Sequence, residues 1–236
     1  MDMIIVDPEP GPEALSAQGA GALLNPSETA LSQARTVLLA VKPQIWRTAA
    51  SVIAPRLAAD AAVVSVVAGV PAADLGEVFG GRRIARVMPS LAASIGRGAA
   101  AVWSADAALK WEVSVLFAAL GVVTSLDDED QMHAATAAGG SAPGYLYAFV
   151  EALEAAAIEA GLPKSEAASL VRGTITGAAA LLREADADPA ELRRRVTSPG
   201  GTTEAALKVF AGRGGLGPLV NKAVAAAAAR SRALGG

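Results

Sequence analysis

The amino-acid sequence predicts an α/β domain built on a parallel sheet, followed by a domain made only of helices. Up to about residue 104, apolar residues occur in short runs rich in Val and Ile, separated by Pro, Gly and polar helical stretches. Such runs are typical of strands buried on both faces of a parallel sheet. After Asp127 the runs stop and long alanine-rich helical patterns follow. The predicted domains are therefore residues 1–126 and 127–236.

Each predicted strand corresponds to one apolar run. The runs cover residues 3–6, 36–41, 62–67, 83–87, 99–103 and 121–126. Before the last of them, residues 107–120, which include Trp111 and Phe117, show the pattern of a helix.

Helical patterns fill the second half of the chain. They cover residues 129–138, 143–160, 164–184, 189–196, 202–211 and 218–233, with helix breakers at 139–140, 161–163 and 186–189. The helices carry few polar residues, and small residues occupy nearly every face of 173–180. A monomer would leave such helices exposed, so we expect a dimer with interlocked helices. The alternative is an internal helix of a monomeric bundle.

Composition excludes several classes of function. The formal net charge of −3 provides no broad basic surface, so we expect no nucleic-acid partner. The absence of cysteine excludes disulfides, thiolate catalysis and cysteine metal sites, and it favours the cytosol. The longest smooth apolar stretch, 61–70, is too short for a membrane helix, and the acidic N-terminus has no signal-peptide pattern. We therefore expect a cytoplasmic protein without a membrane segment.

The segment 196–203, Val-Thr-Ser-Pro-Gly-Gly-Thr-Thr, has the composition of an anion-binding turn. Its two adjacent glycines allow a ligand to approach the backbone closely. The run 204–210 has a helical pattern, and the unpaired amides and the dipole at a helix start favour a carboxylate or a phosphate. The alternative interpretation is an ordinary helix start capped by Ser-Pro.

Several further segments occur in a characteristic order. They are Leu39-Ala40-Val41-Lys42-Pro43-Gln44, Ala68-Gly69-Val70, the strand 83–89, Gly140-Ser141-Ala142-Pro143-Gly144-Tyr145, Gly161-Leu162-Pro163 and the turn 198–203. Over nearly its whole length the chain resembles the pyrroline-5-carboxylate reductase family, and the segment 195–203 is specific. The resemblance implies an N-terminal Rossmann-like domain, a helical dimerisation domain, and the last step of proline biosynthesis. Members form homodimers, often arranged in rings, with the active site near the subunit interface.

The resemblance also implies the chemistry and the residues that perform it. NADPH or NADH delivers a hydride to the C=N carbon of a small cyclic imine that bears a carboxylate, so the protein only orients the imine, neutralises its carboxylate and helps a proton reach the nitrogen. No metal is needed. Thr203 matches the hydroxyl that hydrogen-bonds the ring nitrogen. The expected substrate-binding residues are Val196, Ser198, Gly200, Gly201 and Thr202. The expected cofactor-binding residues, at strand ends, are Ala40, Val41, Lys42, Pro43, Ala68, Gly69, Met88, Pro89 and Ser90.

Some of these residues have a second explanation. Lys42 either contacts a cofactor phosphate or is a solvated loop lysine, and Met88-Pro89 either flanks the nicotinamide or simply ends a strand. Asp7 either binds the ribose hydroxyls of NAD, which would disfavour NADP, or caps a turn. His133 matches no catalytic position of the family, and we expect it at the surface or at a helix cap.

The sequence departs from the family pattern at its start. The family opens with a strand and a G-x-G-x-x-G turn that receives the cofactor pyrophosphate, whereas this chain begins at what corresponds to the second strand. Gly19-Ala20-Gly21 is no substitute, because no strand precedes it. Loss of a mid-sheet strand would expose two strand edges and remove the phosphate cradle. Either Met1 is not the natural start, which the intact remaining site favours, or cofactor binding is impaired.

Two smaller departures leave other functions open. Met88-Pro89-Ser90-Leu91-Ala92 stands where the family has Met-Pro-Asn-Thr-Pro, and Gly139 stands where it has a serine. The replacements at 90–92 suggest, as one alternative, a reductase of another cyclic imine. A dimeric scaffold that has lost cofactor binding is the other alternative.

Overall fold

The computed structural model describes residues 3–26, 28–185 and 187–235. The chain forms two compact units. The first, here called the sheet unit, contains the residues up to Gly140 and those from Ala228 onward, and the second, the helical unit, is Ser141–Ala227. This division by packing differs from the boundary at residue 126, which stays a prediction about the domains.

The described residues of the sheet unit contain two sheets. Their strands are β1 (Ile4–Ile5), β2 (Leu23–Leu24), β3 (Thr36–Leu39), β4 (Ala62–Ser65), β5 (Ile84–Pro89), β6 (Gly98–Trp103) and β7 (Gly121–Ser125). The main sheet has the strand order β3-β4-β5-β6-β7, and β3, β4 and β5 run parallel. The carboxyl ends of these three strands therefore lie at one edge of the sheet, where α/β proteins bind their ligands.

Helices connect the strands and fill the rest of the chain. The sheet unit has α1 (Pro12–Gly19), α2 (Glu28–Leu31), α3 (Trp46–Ile53), α4 (Ala72–Val78), α5 (Ala107–Ala118) and α6 (Gln131–Ala135). They are followed by α7 (Ala142–Glu159), α8 (Lys164–Glu184), α9 (Pro189–Arg195), α10 (Thr202–Phe210) and α11 (Leu216–Ala233). Short 3₁₀ segments occur at Ala54–Arg56 and Leu91–Ile95, and a π-helical turn at Thr136–Gly140 extends α6. The predicted helices of the second half are confirmed, with ends that differ by a few residues.

The main sheet is covered on both faces, as the apolar runs predict. Every residue of β4 is buried. Val63 packs with Leu75 and Phe79 into one hydrophobic cluster, whereas Val64 packs with Val113 of α5 into another. Because neighbouring residues of a strand point to opposite faces, α3 and α4 cover one face of the sheet and α5 covers the other.

The predicted parallel sheet is confirmed for β3, β4 and β5, whereas β6 pairs antiparallel with β5. The reason is the connection between them. Only residues 90–97 join the two strands, and they form one 3₁₀ segment. A parallel crossover needs a dozen or more residues, so this connection can only return the chain in the opposite direction. β7 is parallel to β6 because α5 provides a full crossover.

β1 and β2 form a separate parallel pair, and β2 is a strand that sequence analysis did not predict because it contains only two residues. Ile4 of β1 packs against the same hydrophobic cluster as Val37 of β3. Nevertheless, the described residues of β1 and β3 share no ladder of hydrogen bonds. Each of these two strands therefore has one edge without a partner strand in the described part of the chain.

The helical unit buries little of its apolar surface on its own. No residue of α7 is buried, and α8 buries only Ala167 and Val171. Large apolar side chains are exposed along both helices. They are Leu146, Tyr147, Phe149, Ile158, Leu170, Leu181 and Leu182. An isolated monomer rarely leaves such a surface open, so this unit has the surface of a subunit interface. In the described ranges, no helix has the length and hydropathy needed to cross a membrane.

Candidate active site

The residues predicted to contact the cofactor follow the three parallel strands of the sheet unit. Residues 40–43 come directly after β3, Ala68 and Gly69 follow β4, and 88–90 lie at the end of β5. Because these strands are neighbours and run in the same direction, the structure brings the three segments to one sheet edge. The segments on which the resemblance depends are therefore spatial neighbours, although about 50 residues separate the first from the last.

The side chains at this edge differ in how freely they can meet a ligand. Lys42 is exposed, and no described residue forms an ion pair with it, so a phosphate contact and a solvated lysine both remain compatible with its position. Met88 is half-buried and packs against Gly140, where a Cβ atom would lie 3.0 Å from its sulfur. The hydroxyl of Ser90 accepts a hydrogen bond from the Ala99 amide at 2.9 Å. Ser90 therefore extends the pairing of β5 with β6.

Asp7 forms a turn cap at the end of β1. Its Oδ1 accepts the backbone N–H of Glu9 at 2.9 Å. The Asn25 side chain bonds both backbone groups of Asp7, which ties the ends of β1 and β2 together. This geometry is the turn cap that was one of the two interpretations of Asp7. A ribose contact by the second carboxylate oxygen stays a prediction. Gly19-Ala20-Gly21 lies at the end of α1, not at a helix start.

The segment 196–203 lies in the helical unit and joins α9 to α10. The Gly201 N–H donates to the carbonyl of Ser198 at 3.0 Å, and Gly200 has a φ of 70°. Proline at the second position and a left-handed glycine at the third are the pattern of a type II turn. Val196, Ser198, Gly200 and Thr202 are exposed, whereas Gly201 and Thr203 are half-buried. The substrate-binding residues predicted from the sequence are thus brought together at one helix start.

Two features of this turn concern charge and hydrogen bonding. The carboxylate of Glu204 accepts the N–H of Gly200 at 2.9 Å, so an amide of the turn already holds a carboxylate. Thr203 has no hydrogen-bond partner for its hydroxyl among the described residues, whereas the hydroxyl of Thr197 donates to the carbonyl of Arg193 at 2.6 Å. Sequence analysis did not identify Glu204, although an acidic residue three positions after a helix cap is a known capping signal.

A buried ion pair lies beside the predicted cofactor segments, and sequence analysis did not identify it. Arg86 of β5 is only 4% exposed, and its guanidinium lies 2.7 Å from the carboxylate of Glu129. The same carboxylate oxygen accepts the N–H of Ala72, the first residue of α4, at 2.6 Å. The pair joins positions 43 residues apart. No local pattern in the sequence indicates such a contact.

The contacts of Glu129, Met132 and His133 explain why residues 127–140 belong to the sheet unit. Met132 of α6 is fully buried. His133 shares a hydrogen bond of 3.0 Å with the hydroxyl of Ser231, near the end of α11. The last residues of the chain therefore pack on the sheet unit too. His133 is partly buried in a specific contact, not a free surface residue.

We expect the stability of the protein to fall as the pH is lowered from 7.5 to 5.5. Burial, together with the positive charges of Arg86 and Arg232, lowers the pKa of His133 below its ordinary value of 6.5, against the opposing effect of Asp130 and Glu129. The unfolded chain therefore binds a proton at a higher pH than the folded chain does. The free energy of unfolding is therefore highest above pH 6.5, where His133 is neutral in both states, and it decreases as the pH falls below that value.

The measurement is the thermal midpoint of unfolding at several pH values between 5.5 and 7.5. His133 is the single histidine of the chain, and carboxylates stay ionised in this range. The variant His133→Asn should therefore lose most of the pH dependence. An unchanged slope in this variant would contradict the account.

The edge where the three parallel strands end carries small residues and one exposed lysine. Ala40 is exposed and Ala68 is half-buried, whereas Gly69 is buried under the end of α11. Lys42 supplies a positive charge at the rim. A glycine-rich turn between a strand and a helix, which would hold a pyrophosphate, does not occur in the sequence. The sheet and its ligand edge thus define the class of Rossmann-like, dinucleotide-binding folds, here followed by a helical unit.

Comparison with known proteins gives the family. Residues 129–234 match the family model for pyrroline-5-carboxylate reductase dimerisation. The chain is 39% identical to pyrroline-5-carboxylate reductase of Pseudomonas aeruginosa over 87% of its own length and 76% of that protein's. It is 37% identical to the enzyme of Pisum sativum, over 90% of its own length and 78% of that protein's. The chain belongs to the pyrroline-5-carboxylate reductase family.

Solved structures of pyrroline carboxylate reductases superpose on nearly the whole chain. A pyrroline-5-carboxylate reductase from Coxiella burnetii superposes with a TM-score of 0.88 at 31% identity, covering 99% of this chain and 88% of that one. The Plasmodium falciparum pyrroline carboxylate reductase, solved with NADP bound, gives a TM-score of 0.83 at 26% identity and covers 99% and 87%. The predicted fold class, a Rossmann-like domain followed by a helical dimerisation domain, is confirmed.

Proposed function

We propose that this protein reduces 1-pyrroline-5-carboxylate to L-proline with NADPH or NADH, the last step of proline biosynthesis. Relatives with this name are 34 to 39% identical over most of the chain. The observation that carries the proposal is the turn 196–203. In this turn the Gly200 N–H binds the Glu204 carboxylate, which the substrate carboxylate would displace, and the Thr203 hydroxyl has no partner among the described residues. A cyclic imino acid needs this pair of groups, one for its carboxylate and one for its nitrogen.

The turn binds and orients the substrate. Backbone N–H groups of residues 198 and 200–203 donate hydrogen bonds to the substrate carboxylate, and the positive end of the α10 dipole adds to their attraction. Val196, Ser198, Gly200, Gly201 and Thr202 form the walls of this site. The hydroxyl of Thr203 hydrogen-bonds the ring nitrogen and helps a proton reach it. One C–H bond and one N–H bond form as the C=N bond becomes a single bond.

The edge of the main sheet holds the cofactor. When bound there, NADPH or NADH supplies the hydride. Residues 40–43 and the segment Ala68-Gly69 line the site with small residues and one lysine, and Met88, Pro89 and Ser90 flank the nicotinamide. Support for NADP comes from the Plasmodium falciparum relative, whose solved structure contains it. No step of the reaction requires a metal ion in this scheme.

The working form is a homodimer in the cytosol, which can assemble further into a ring. The exposed apolar residues of α7 and α8, together with the match of 129–234 to a dimerisation model, support the dimer. Light scattering after size exclusion should give twice the 23.5 kDa chain mass or a multiple of it. A mass of one chain at micromolar concentration would contradict this part of the proposal.

The activity itself is tested by following NADPH and NADH oxidation with 1-pyrroline-5-carboxylate. Two forms should be compared, the chain alone and the chain preceded by the N-terminal strand, turn and helix of the Pseudomonas aeruginosa relative. We expect turnover in the extended form and tighter cofactor binding than in the chain alone, because β1 and β3 each offer an unpaired edge to a strand. No turnover in the extended form would reject the proposal. Faster turnover with a six-membered cyclic imine would instead assign another substrate.

A further inference from the structure

The loop between β4 and α4, residues 66–71, is held by contacts on two sides. On one side the Ala72 N–H, at the end of this loop, donates to Glu129 at 2.6 Å. On the other side the end of α11 packs directly on Gly69. A Cβ atom at position 69 would lie 2.5 Å from the carbonyl oxygen of Ser231 and 2.9 Å from the Cβ of Leu234. The loop that follows β4 is therefore fixed between Glu129, in the turn before α6, and the last residues of the chain.

Glu129 both caps α4 and pairs with the buried charge of Arg86. The cap residue of α4 is Pro71, which has no side chain able to accept the free N–H groups of the helix. Glu129 replaces the missing cap from a distance of 57 residues in the sequence. Its orientation is set by Arg86, whose guanidinium is buried and therefore needs a charged partner. Arg86 lies on β5, two residues before Met88.

We propose that Glu129 is a positioning residue for the nicotinamide cofactor. Its carboxylate, oriented by Arg86, fixes the Ala72 N–H and with it the loop that contains Ala68 and Gly69. The inference rests on the proposed function, because it takes Ala68 and Gly69 to be part of the cofactor site. Glu129 does not itself touch the reacting atoms.

Loss of the carboxylate releases the loop at one end and leaves a buried guanidinium without its partner. The loop then samples conformations that cannot bind the cofactor. The apparent affinity for the cofactor falls in proportion to the fraction of molecules whose loop can still bind it. We expect Glu129→Ala to raise the Kd for NADPH about 10-fold, the factor that corresponds to one lost hydrogen bond to a charged group. The KM for the imine at saturating NADPH should stay within about twofold, because the substrate turn lies in the helical unit.

A matched control is available in the helical unit. Glu154 forms an ion pair with Arg172 at the same N–O distance of 2.7 Å, and neither residue belongs to a predicted site. Glu154→Ala removes one carboxylate from an Arg–Glu pair as Glu129→Ala does. We expect this control to leave the Kd for NADPH unchanged, whatever it does to thermal stability.

The decisive readout is hydrogen exchange of residues 66–72 in the protein without cofactor. Glu129→Ala should speed the exchange of this segment relative to the wild type and to Glu154→Ala, while exchange in β4 stays slow. Glu129→Gln keeps an oxygen for the Ala72 N–H and should recover most of the protection. Unchanged exchange in Glu129→Ala, or no recovery in Glu129→Gln, would overturn the proposal.

Failure of this proposal is distinguishable from failure of the proposed function. If the wild type oxidises no NADPH with the imine, the proposed function is rejected, whereas the exchange experiment still reports on the loop. If the wild type is active and Glu129→Ala lowers the thermal midpoint but leaves both the exchange of 66–72 and the Kd for NADPH unchanged, Glu129 is only a structural residue and the proposal is rejected.

Discussion

Thr203→Ala should lower the turnover of 1-pyrroline-5-carboxylate about 10- to 1000-fold, the range found when one oriented hydrogen bond or proton transfer is removed. The hydroxyl has no competing partner in the described part of the chain, so it is available to the substrate. Because the interaction with the nitrogen strengthens as a proton is transferred, the loss should appear mainly in kcat. Steady-state kinetics with saturating NADPH measures it.

Two control variants separate the hydroxyl from its surroundings. Thr203→Ser keeps the hydroxyl and should retain most of the turnover. Thr176 of α8 is exposed, and its hydroxyl donates to the carbonyl of Arg172 at 2.8 Å. Thr176→Ala removes an equivalent group outside the predicted site and should leave turnover within about twofold, as is usual for surface substitutions. Wild-type turnover in Thr203→Ala would remove this residue from the mechanism.

Gly121→Ala should lower the thermal midpoint by about 6 to 12 °C, which corresponds to about 3 kcal/mol for a protein of this size. Gly121 is the first residue of β7 and pairs with Gly98 of β6. Its φ is 139°, and a Cβ atom there would overlap the backbone carbonyl of Gly98. Both strands would have to separate at this end, and with them the sheet that carries the cofactor edge.

Gly76→Ala is the matched control for this substitution. Gly76 lies in α4, and a Cβ atom there would have no other atom within 4 Å. Alanine in a helix is more favourable than glycine by about 0.5 to 1 kcal/mol, so this variant should melt at the same temperature or slightly higher. The account of Gly121 would be contradicted if both variants melted within 2 °C of the wild type.

The sequence was sufficient to predict the elements that long patterns define. The apolar run of β4 predicted a strand buried on both faces, and all its residues are buried. The long helices α7 and α8 follow alanine-rich patterns with a glycine-proline break between them, and their ends are close to those predicted. The turn 196–203 could be recognised because proline and two glycines leave few backbone conformations.

Other features depend on contacts that no local pattern contains. The antiparallel direction of β6 is set by the length of the connection from β5, and β2 is too short to produce a pattern. The pair of Arg86 with Glu129 forms only because the fold brings β5 and the turn before α6 together. His133 was expected at the surface or at a helix cap, and its bond to Ser231 joins residues 98 positions apart. Such long-range polar contacts have to be read from the structure.

The central claim is that the turn before α10 holds the substrate carboxylate while Thr203 holds the nitrogen. A crystal structure with L-proline bound tests it most directly. We expect carboxylate oxygens within about 3 Å of backbone nitrogens of residues 198 and 200–203, and the ring nitrogen within the same distance of the Thr203 hydroxyl. The account would be contradicted if proline occupied another site, or if its carboxylate bonded side chains elsewhere while the turn amides kept only Glu204.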